Sequence, residues 1–199
     1  MIRYVVFDYG NTLACYNEIS ISRQYVATDE EAKELAEVFF DRLYCDRLDA
    51  GTLSEEERTR LCKERLPEKY HAFLDDMGHT WYRYLPPIPG MPELVDRLHR
   101  EGVGLYLLSN IPCEFEKHVP RTPILQSFDG IVLSGPIGMV KPHEDIYRYL
   151  LDTYNLPVEE CIFVDDREEN VLAARAVGMQ AYLFDGDAAK LTDYLFANR

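Results

Sequence analysis

Positive charge is scarce in this 199-residue chain: Lys and Arg total 21 against 35 Asp and Glu, a formal charge of −14 at pH 7. A nucleic-acid or anionic-membrane partner needs clustered positive charge to offset phosphates, so neither is expected. An anionic small molecule stays open, because a metal ion or one lysine can make a single site locally positive. No apolar run reaches the roughly 18–20 residues that span a bilayer. The first apolar stretch, residues 2–7, is too short for a secretory leader and meets Asp8 at once, so the expected compartment is the cytoplasm. The five cysteines (15, 45, 62, 113 and 161) include no C-x-x-C pair. That pattern fits neither a disulfide framework nor a thiolate zinc site, and it suits a reducing compartment. The five histidines form no H-x-x-H or H-E-x-x-H pair, so no histidine metal site is expected.

What the chain does have is ordinary globular composition, with 47% apolar and 28% charged residues. Its length fits one domain or one domain carrying an insertion. The texture favours the insertion. Residues 2–7 (IRYVVF) read as a buried strand ending at Asp8. From about 20 to 85 the pattern is helical. Thr28-Asp-Glu-Glu31 and Ser54-Glu-Glu-Glu57 are capping boxes, in which a hydroxyl and a glutamate satisfy the free N–H groups of a helix start. Pro67 stops the second of these helices. Tyr70, Phe73, Leu74, Met77, Trp81 and Tyr84 then follow helical spacing, up to the break Leu85-Pro-Pro-Ile-Pro-Gly90. Beyond it, apolar strands at 103–108, 131–134, 161–164 and 180–184 alternate with helices at 92–100, near 125–128, at 143–155, up to Gly178 and at the C-terminus. Such alternation predicts right-handed βαβ units and a doubly wound parallel α/β sheet. The expected core is residues 1–14 and 88–199, with a helical cap, 15–87, inserted after the first strand.

Three strands end in polar residues: Asp8, Ser109-Asn110 and Asp165-Asp166. In an open α/β sheet, ligands bind outside the carboxyl ends of the strands. Asp and Ser are also common helix caps there, but three such ends plus Lys141 in a Gly/Pro loop outweigh that plainer reading. Carboxylates gathered at one point repel each other unless they share a cation. With no Cys or His at hand, oxygen-only ligation points to Mg²⁺. A carboxylate nucleophile beside Mg²⁺, a hydroxyl and a lysine suits phosphoryl transfer.

Four segments occur in order: Val5-Val-Phe-Asp8-Tyr-Gly-Asn-Thr12; Leu107-Leu-Ser109-Asn110; Val140-Lys141-Pro142; and Phe163-Val-Asp165-Asp166 with Asn170 and Gly178-Met179. Each is weak alone. Together, and across nearly the whole chain, they resemble the haloacid dehalogenase superfamily, in the branch with a helical C1-type cap. The resemblance implies that Asp8 is a nucleophile forming an aspartyl-phosphate and also touching metal, and that the Gly10 carbonyl and Asp166 ligate Mg²⁺. It places Asp165 on the metal or just behind it. Ser109 and the Asn110 backbone would bind a phosphate oxygen, Lys141 would pair with Asp8 and the phosphoryl group, and Thr12 would help fix the first loop. Asn170 stands where many members carry an acid that orients metal-bound water.

The chain departs from that pattern at Gly10, where most phosphatases of the superfamily carry the acid that protonates the leaving oxygen. General acid–base help of this kind is typically worth about 10²–10⁴-fold. Three readings follow. One is a phosphatase acting on a small phosphorylated metabolite with a substitute acid or an activated leaving group; the alpha-glucose-1-phosphate phosphatases have a similar Asp-x-Gly-Asn segment, which makes a sugar phosphate a candidate. The second is a 2-haloacid dehalogenase, which would leave Asp165-Asp166 unexplained. The third is a catalytically weak binder of a ligand or partner. Arg23, Arg47, Arg83, Tyr16 and Trp81 lie in the expected cap or at its edges, where surface or packing roles are the default; Tyr16, just after the first motif, is the better substrate contact. Trp81 reads as cap core, Cys15 as packing, and His143 as a helix-start residue rather than the substitute acid. Oligomeric state is open.

Overall fold

The computed structural model describes residues 1–198. Its centre is a parallel sheet of β1 (Tyr4–Phe7), β2 (Gly104–Ser109), β3 (Gly130–Leu133), β4 (Cys161–Asp165) and β5 (Gln180–Leu183), in the order β3-β2-β1-β4-β5. The order puts β1 in the middle, so the three strands with polar ends are neighbours. Phe7 pairs with Leu107 on one side and Val164 on the other. The chain runs outward through β2 and β3, then returns to the far side of β1, so the switch point lies between β1 and β4.

Side chains alternate across each strand, and both faces are covered, as a parallel sheet requires. Val5, Phe7, Leu105, Leu107, Ile162 and Val164 belong to one apolar cluster. Val6, Tyr106, Leu108, Cys161 and Phe163 belong to the other. Between β1 and the helix that precedes β2 stand five α-helices among the described residues: α1 (Glu18–Ser22), α2 (Asp29–Phe39), α3 (Arg42–Asp49), α4 (Glu55–Arg65) and α5 (His71–Thr80). After them come α6 (Met91–Arg100), the single turn α7 (Ser134–Ile137), α8 (Glu144–Tyr154), α9 (Glu168–Ala176) and α10 (Ala188–Ala197). Leu94 and Leu98 of α6 and Leu191 and Leu195 of α10 cover the first face, in one cluster with Leu35, Phe39, Leu74 and Met77 of the inserted helices. Ile146, Tyr147 and Leu150 of α8 and Val171 and Ala174 of α9 cover the second. The doubly wound α/β architecture is therefore as expected.

Both capping boxes form their first arm: Thr28 Oγ1 accepts from Glu31 N–H, and Ser54 Oγ from Glu57 N–H, each at 3.2 Å. The Glu31 carboxylate reaches back one residue further than the pattern implies, to Ala27 N–H. The apolar series 70–84 is not one helix. It is α5 flanked by 3₁₀ turns at Glu68–Tyr70 and Trp81–Tyr84. Aromatics crowd the second turn, where the Trp81 and Tyr82 rings lie tilted by 31° with centroids 3.9 Å apart. The short helix near 125–128 is likewise a 3₁₀ turn, Pro123–Ser127, opened by a proline that cannot donate. No helix of the described residues is long and apolar enough to cross a membrane.

Candidate active site

Asp8 sits one residue past β1, with its N–H on Val164 O at 2.9 Å. The chain turns sharply behind it. Asn11 adopts a left-handed φ of 54°, a conformation asparagine tolerates better than most residues. Its Oδ1 accepts from Tyr16 N–H at 3.0 Å, and its own N–H donates to Ala14 O at 2.7 Å. Thr12 is fully buried under this loop, but its hydroxyl has no hydrogen-bond partner among the described residues. Thr12 thus meets the loop by packing and through its backbone N–H, which donates to Tyr9 O at 3.4 Å, and not through its hydroxyl.

The strand ends converge as their positions predict. Asp8 Oδ1 accepts from Ser109 Oγ at 2.9 Å and from Lys141 Nζ at 2.6 Å. Lys141 Nζ also donates to Asp165 Oδ2 at 2.7 Å. The Asn110 side chain clamps the lysine's backbone, accepting from Lys141 N–H at 2.8 Å and donating to Lys141 O at 2.9 Å. The Lys141–Pro142 peptide that follows is cis. Asp165 is saturated: beyond Lys141, both its oxygens accept from Asn170 Nδ2 at 3.0 Å, and Oδ1 accepts from Arg167 N–H at 2.8 Å. Tyr147 holds Asn170 in turn, its hydroxyl donating to Asn170 O at 3.0 Å. Among the described residues Asp8 Oδ2 has no such partner, and the half-buried Asp166 carboxylate is bonded only by its own backbone N–H. Helix α9 takes Arg167 as its N-cap, so Asp166 stands outside the helix and is not there to cap it.

One oxygen from each of Asp8, Asp165 and Asp166 lies within 4.8 Å of the others. A single lysine faces these three carboxylates. Burial pushes the Asp8 carboxyl up to about 6, with Lys141 opposing and Asp165 adding to the rise. Burial and then the Asp165 charge raise Asp166. Burial alone would lower Lys141, but the charges of Asp8 and Asp165 outweigh it, so the lysine stays protonated. An all-oxygen donor set with surplus negative charge fits a hard divalent cation such as Mg²⁺. Position 10 leaves space: a Cβ built on Gly10 meets only Tyr16 Cβ, at 3.9 Å.

Above this edge lies a cavity of about 250 Å³, between the strand ends and the inserted helices. Tyr16, Phe40, Leu48, Trp81, Leu85 and Ile111 give it an apolar wall. Tyr16 meets Phe40 and Trp81 edge-on, each with centroids 5.9 Å apart. Tyr16 and Trp81 therefore line the cavity, and Trp81 is core as well, being 5% exposed. Arg23 does not line it; it bonds Asp29 and Val26 O. Arg47, Arg83 and His143 are exposed elsewhere, and Cys15 packs against the apolar cluster.

Two charged lining residues that bear on the chemistry, Arg58 and Asp49, are among those the sequence did not single out. Arg58 is buried at 1% exposure, ion-paired with Glu55 and stacked on Phe39 with its guanidinium carbon 3.7 Å from the ring centroid. It sits in a helix, EEERTRLCKER, whose composition hides which face is buried. Asp49 is the last residue of α3, a position where a negative charge opposes the helix dipole. That mismatch was the available signal.

A family profile described as haloacid dehalogenase-like hydrolase matches residues 2–178. The sesquiterpene phosphatase astK of Aspergillus oryzae is 29% identical over 178 residues, spanning 87% of this chain and 85% of its own. A predicted HAD-like hydrolase from Porphyromonas gingivalis superposes with a TM-score of 0.74 at 26% identity, covering 100% of this chain and 98% of its own. A HAD family enzyme from Bacteroides thetaiotaomicron, solved with magnesium and inorganic phosphate, shares the fold with a TM-score of 0.72 at 20% identity, covering 96% and 99%.

Proposed function

The chain belongs to the haloacid dehalogenase-like hydrolases, and from that premise we propose that it is a Mg²⁺-dependent phosphatase working through an aspartyl-phosphate on Asp8. One observation carries the reading. Asp8 Oδ1 is held by Ser109 and Lys141, while Oδ2 has no partner among the described residues and lies at the floor of a cavity beside two more carboxylates.

In this reading Asp8 Oδ2 attacks phosphorus, and the P–O bond to the substrate breaks on the opposite side. Lys141 offsets charge on the phosphoryl oxygens, and Ser109 with the Asn110 N–H bonds one of them. Asp8, Asp166 and the Gly10 carbonyl would hold Mg²⁺, which when bound offsets further charge on the phosphate. Asp165, its oxygens already taken by Lys141, Asn170 and Arg167, acts best by orienting the lysine and keeping the metal side acidic. The magnesium and phosphate in the Bacteroides relative support this assignment. Residues 1–14 and 88–199 would form the core, and 15–87 the cap that shields the reaction from water and selects the substrate.

The substrate class is a small phosphorylated metabolite. Sugar 1-phosphates suit the absent acid at Gly10, whereas the aromatic wall and the sesquiterpene phosphatase relative suit an apolar alcohol. Free thiols and the lack of a membrane-spanning helix among the described residues are in keeping with a cytoplasmic site of action. The test is turnover of an aryl phosphate with Mg²⁺. Hydrolysis lost on chelation and in Asp8→Asn is expected. Halide release from 2-halo acids in the presence of chelator would favour dehalogenation instead, and an inert protein that binds ligand would favour the third reading.

A further inference from the structure

The proposed reaction needs a proton donor that Gly10 cannot be. Five acids line the cavity: Asp8, Glu18, Asp46, Asp49 and Asp166. Four have other assignments. Asp8 is the nucleophile and Asp166 a metal ligand in the reading above. Glu18 accepts from the Tyr16 hydroxyl, and Asp46 lies 3.5 Å from Arg42. The Asp49 carboxylate makes no hydrogen bond or ion pair among the described residues.

Its position is fixed by backbone. Leu48 beside it is buried, and Gly51 two residues on presses against the start of α7: a Cβ at position 51, where φ is +68°, would come within 2.3 Å of Gly135 O. The last turn of α3 is thereby pinned to the core, and Asp49 is held in the cavity wall on the side of the inserted helices, over the Asp8 edge. No side chain can be added at the contact that sets this placement without separating the two layers. An aspartate at the C-terminal end of a helix works against the dipole, so the residue stands there at a local cost.

We propose that Asp49 is the proton donor to the leaving oxygen, supplying from the inserted helices the acid that the first motif lacks. The inference rests on the phosphatase reading of the site. In the first step Asp8 Oδ2 bonds to phosphorus, the P–O(substrate) bond breaks, and its electron pair takes the Asp49 carboxyl proton, giving the free alcohol. In the second step the Asp49 carboxylate takes a proton from water as the water oxygen attacks phosphorus. The P–O bond to Asp8 breaks, inorganic phosphate leaves, and Asp49 is protonated again. The environment suits a group that must hold a proton: burial, then the charges of Asp46 and Asp8, push the Asp49 carboxyl up to about 7 against the opposing pull of Lys141 and Arg58.

The experiment measures kcat/KM of wild type and Asp49→Asn, both with Mg²⁺, across phosphate monoesters running from nitrophenyl to simple alkyl leaving groups. Loss of at least 100-fold on the alkyl esters is expected, from the usual worth of general acid help. Loss under tenfold is expected on nitrophenyl phosphate, whose leaving group needs no proton. The retained nitrophenyl rate also shows that the variant is folded. An equal loss on every ester, or none on any, overturns the role of Asp49. If wild type hydrolyses none of the esters and Asp8→Asn is no different, the phosphatase reading itself fails, and Asp49 with it.

Discussion

Replacing Lys141 by methionine should expose the electrostatic debt of the site. Met is close to the lysine stem in volume, so packing changes little and charge is what is lost. Wild-type Lys141 Nζ lies 2.6 Å from Asp8 and 2.7 Å from Asp165, with side chains 1%, 10% and 0% exposed. Removing one partner of a buried ion pair typically costs about 3–5 kcal/mol, because the remaining charge is buried without compensation. For a chain of this size, 1 kcal/mol shifts Tm by roughly 2–4 °C, so the variant should melt roughly 6–20 °C lower at pH 8 without metal. The deficit should shrink with acid. Asp8 is already raised to about 6, and losing Lys141 raises it further. A carboxyl whose folded pKa lies above its unfolded one binds more protons when folded, so the variant gains stability relative to wild type as pH falls through that pKa. Lys141 has the same sign in wild type: its pKa is raised, so its contribution is fully present below its ordinary pKa and is lost only as pH climbs through the raised value. Thermal melts of both proteins from pH 5 to pH 8 measure this. A Tm within about 2 °C of wild type, flat across that range, would refute the claim that Lys141 holds the acidic edge together.

Three further outcomes follow from the same geometry. Gly10→Asp fits sterically, since its Cβ would meet only Tyr16 Cβ at 3.9 Å; in the Asp49→Asn background it should restore hydrolysis of alkyl phosphates at least tenfold, read as kcat/KM. Magnesium at about 100 times its Kd should raise the stability of the wild-type protein by about 2.7 kcal/mol, and the resulting Tm shift should be largely absent in Asp166→Asn. The pH profile of kcat/KM should fall as pH rises through about 7, where Asp49 loses its proton, and that limb should be missing in Asp49→Asn.

The edge of the sheet was readable because parallel topology forces every strand to deliver its carboxyl end to one side. Asp8, Ser109, Asp165 and Asp166 therefore met as their strand-end positions implied, and Lys141 joined them from the loop before α8. The division of labour between the two adjacent aspartates was not readable. Asp165 ends β4 and turns into the bonds of Asn170 and Lys141, whereas Asp166 is left half-buried with no such bonds, and only three dimensions distinguish them. Asn110, expected to offer its backbone N–H to phosphate, has its side-chain amide hydrogen-bonded to the backbone of Lys141, 31 residues away in the chain. The helical insert was legible as helices but not as a surface. Capping hydroxyls set where α2 and α4 begin, while the cavity wall depends on how α2, α3, α4 and the Trp81 turn meet, which amphipathic spacing does not encode. Arg58 shows the limit most plainly: a fully charged helix face gave no hint that one arginine is buried on Phe39.

The central claim is that phosphorus is transferred to Asp8. Acid quench of the enzyme during turnover of nitrophenyl phosphate with Mg²⁺, reduction of any acyl phosphate with borohydride, and peptide mass spectrometry test it directly. The account predicts homoserine at position 8 in wild type, more of it in Asp49→Asn, and none in Asp8→Asn. Rapid phosphate release with position 8 unmodified throughout, or undiminished turnover in Asp8→Asn, would contradict it.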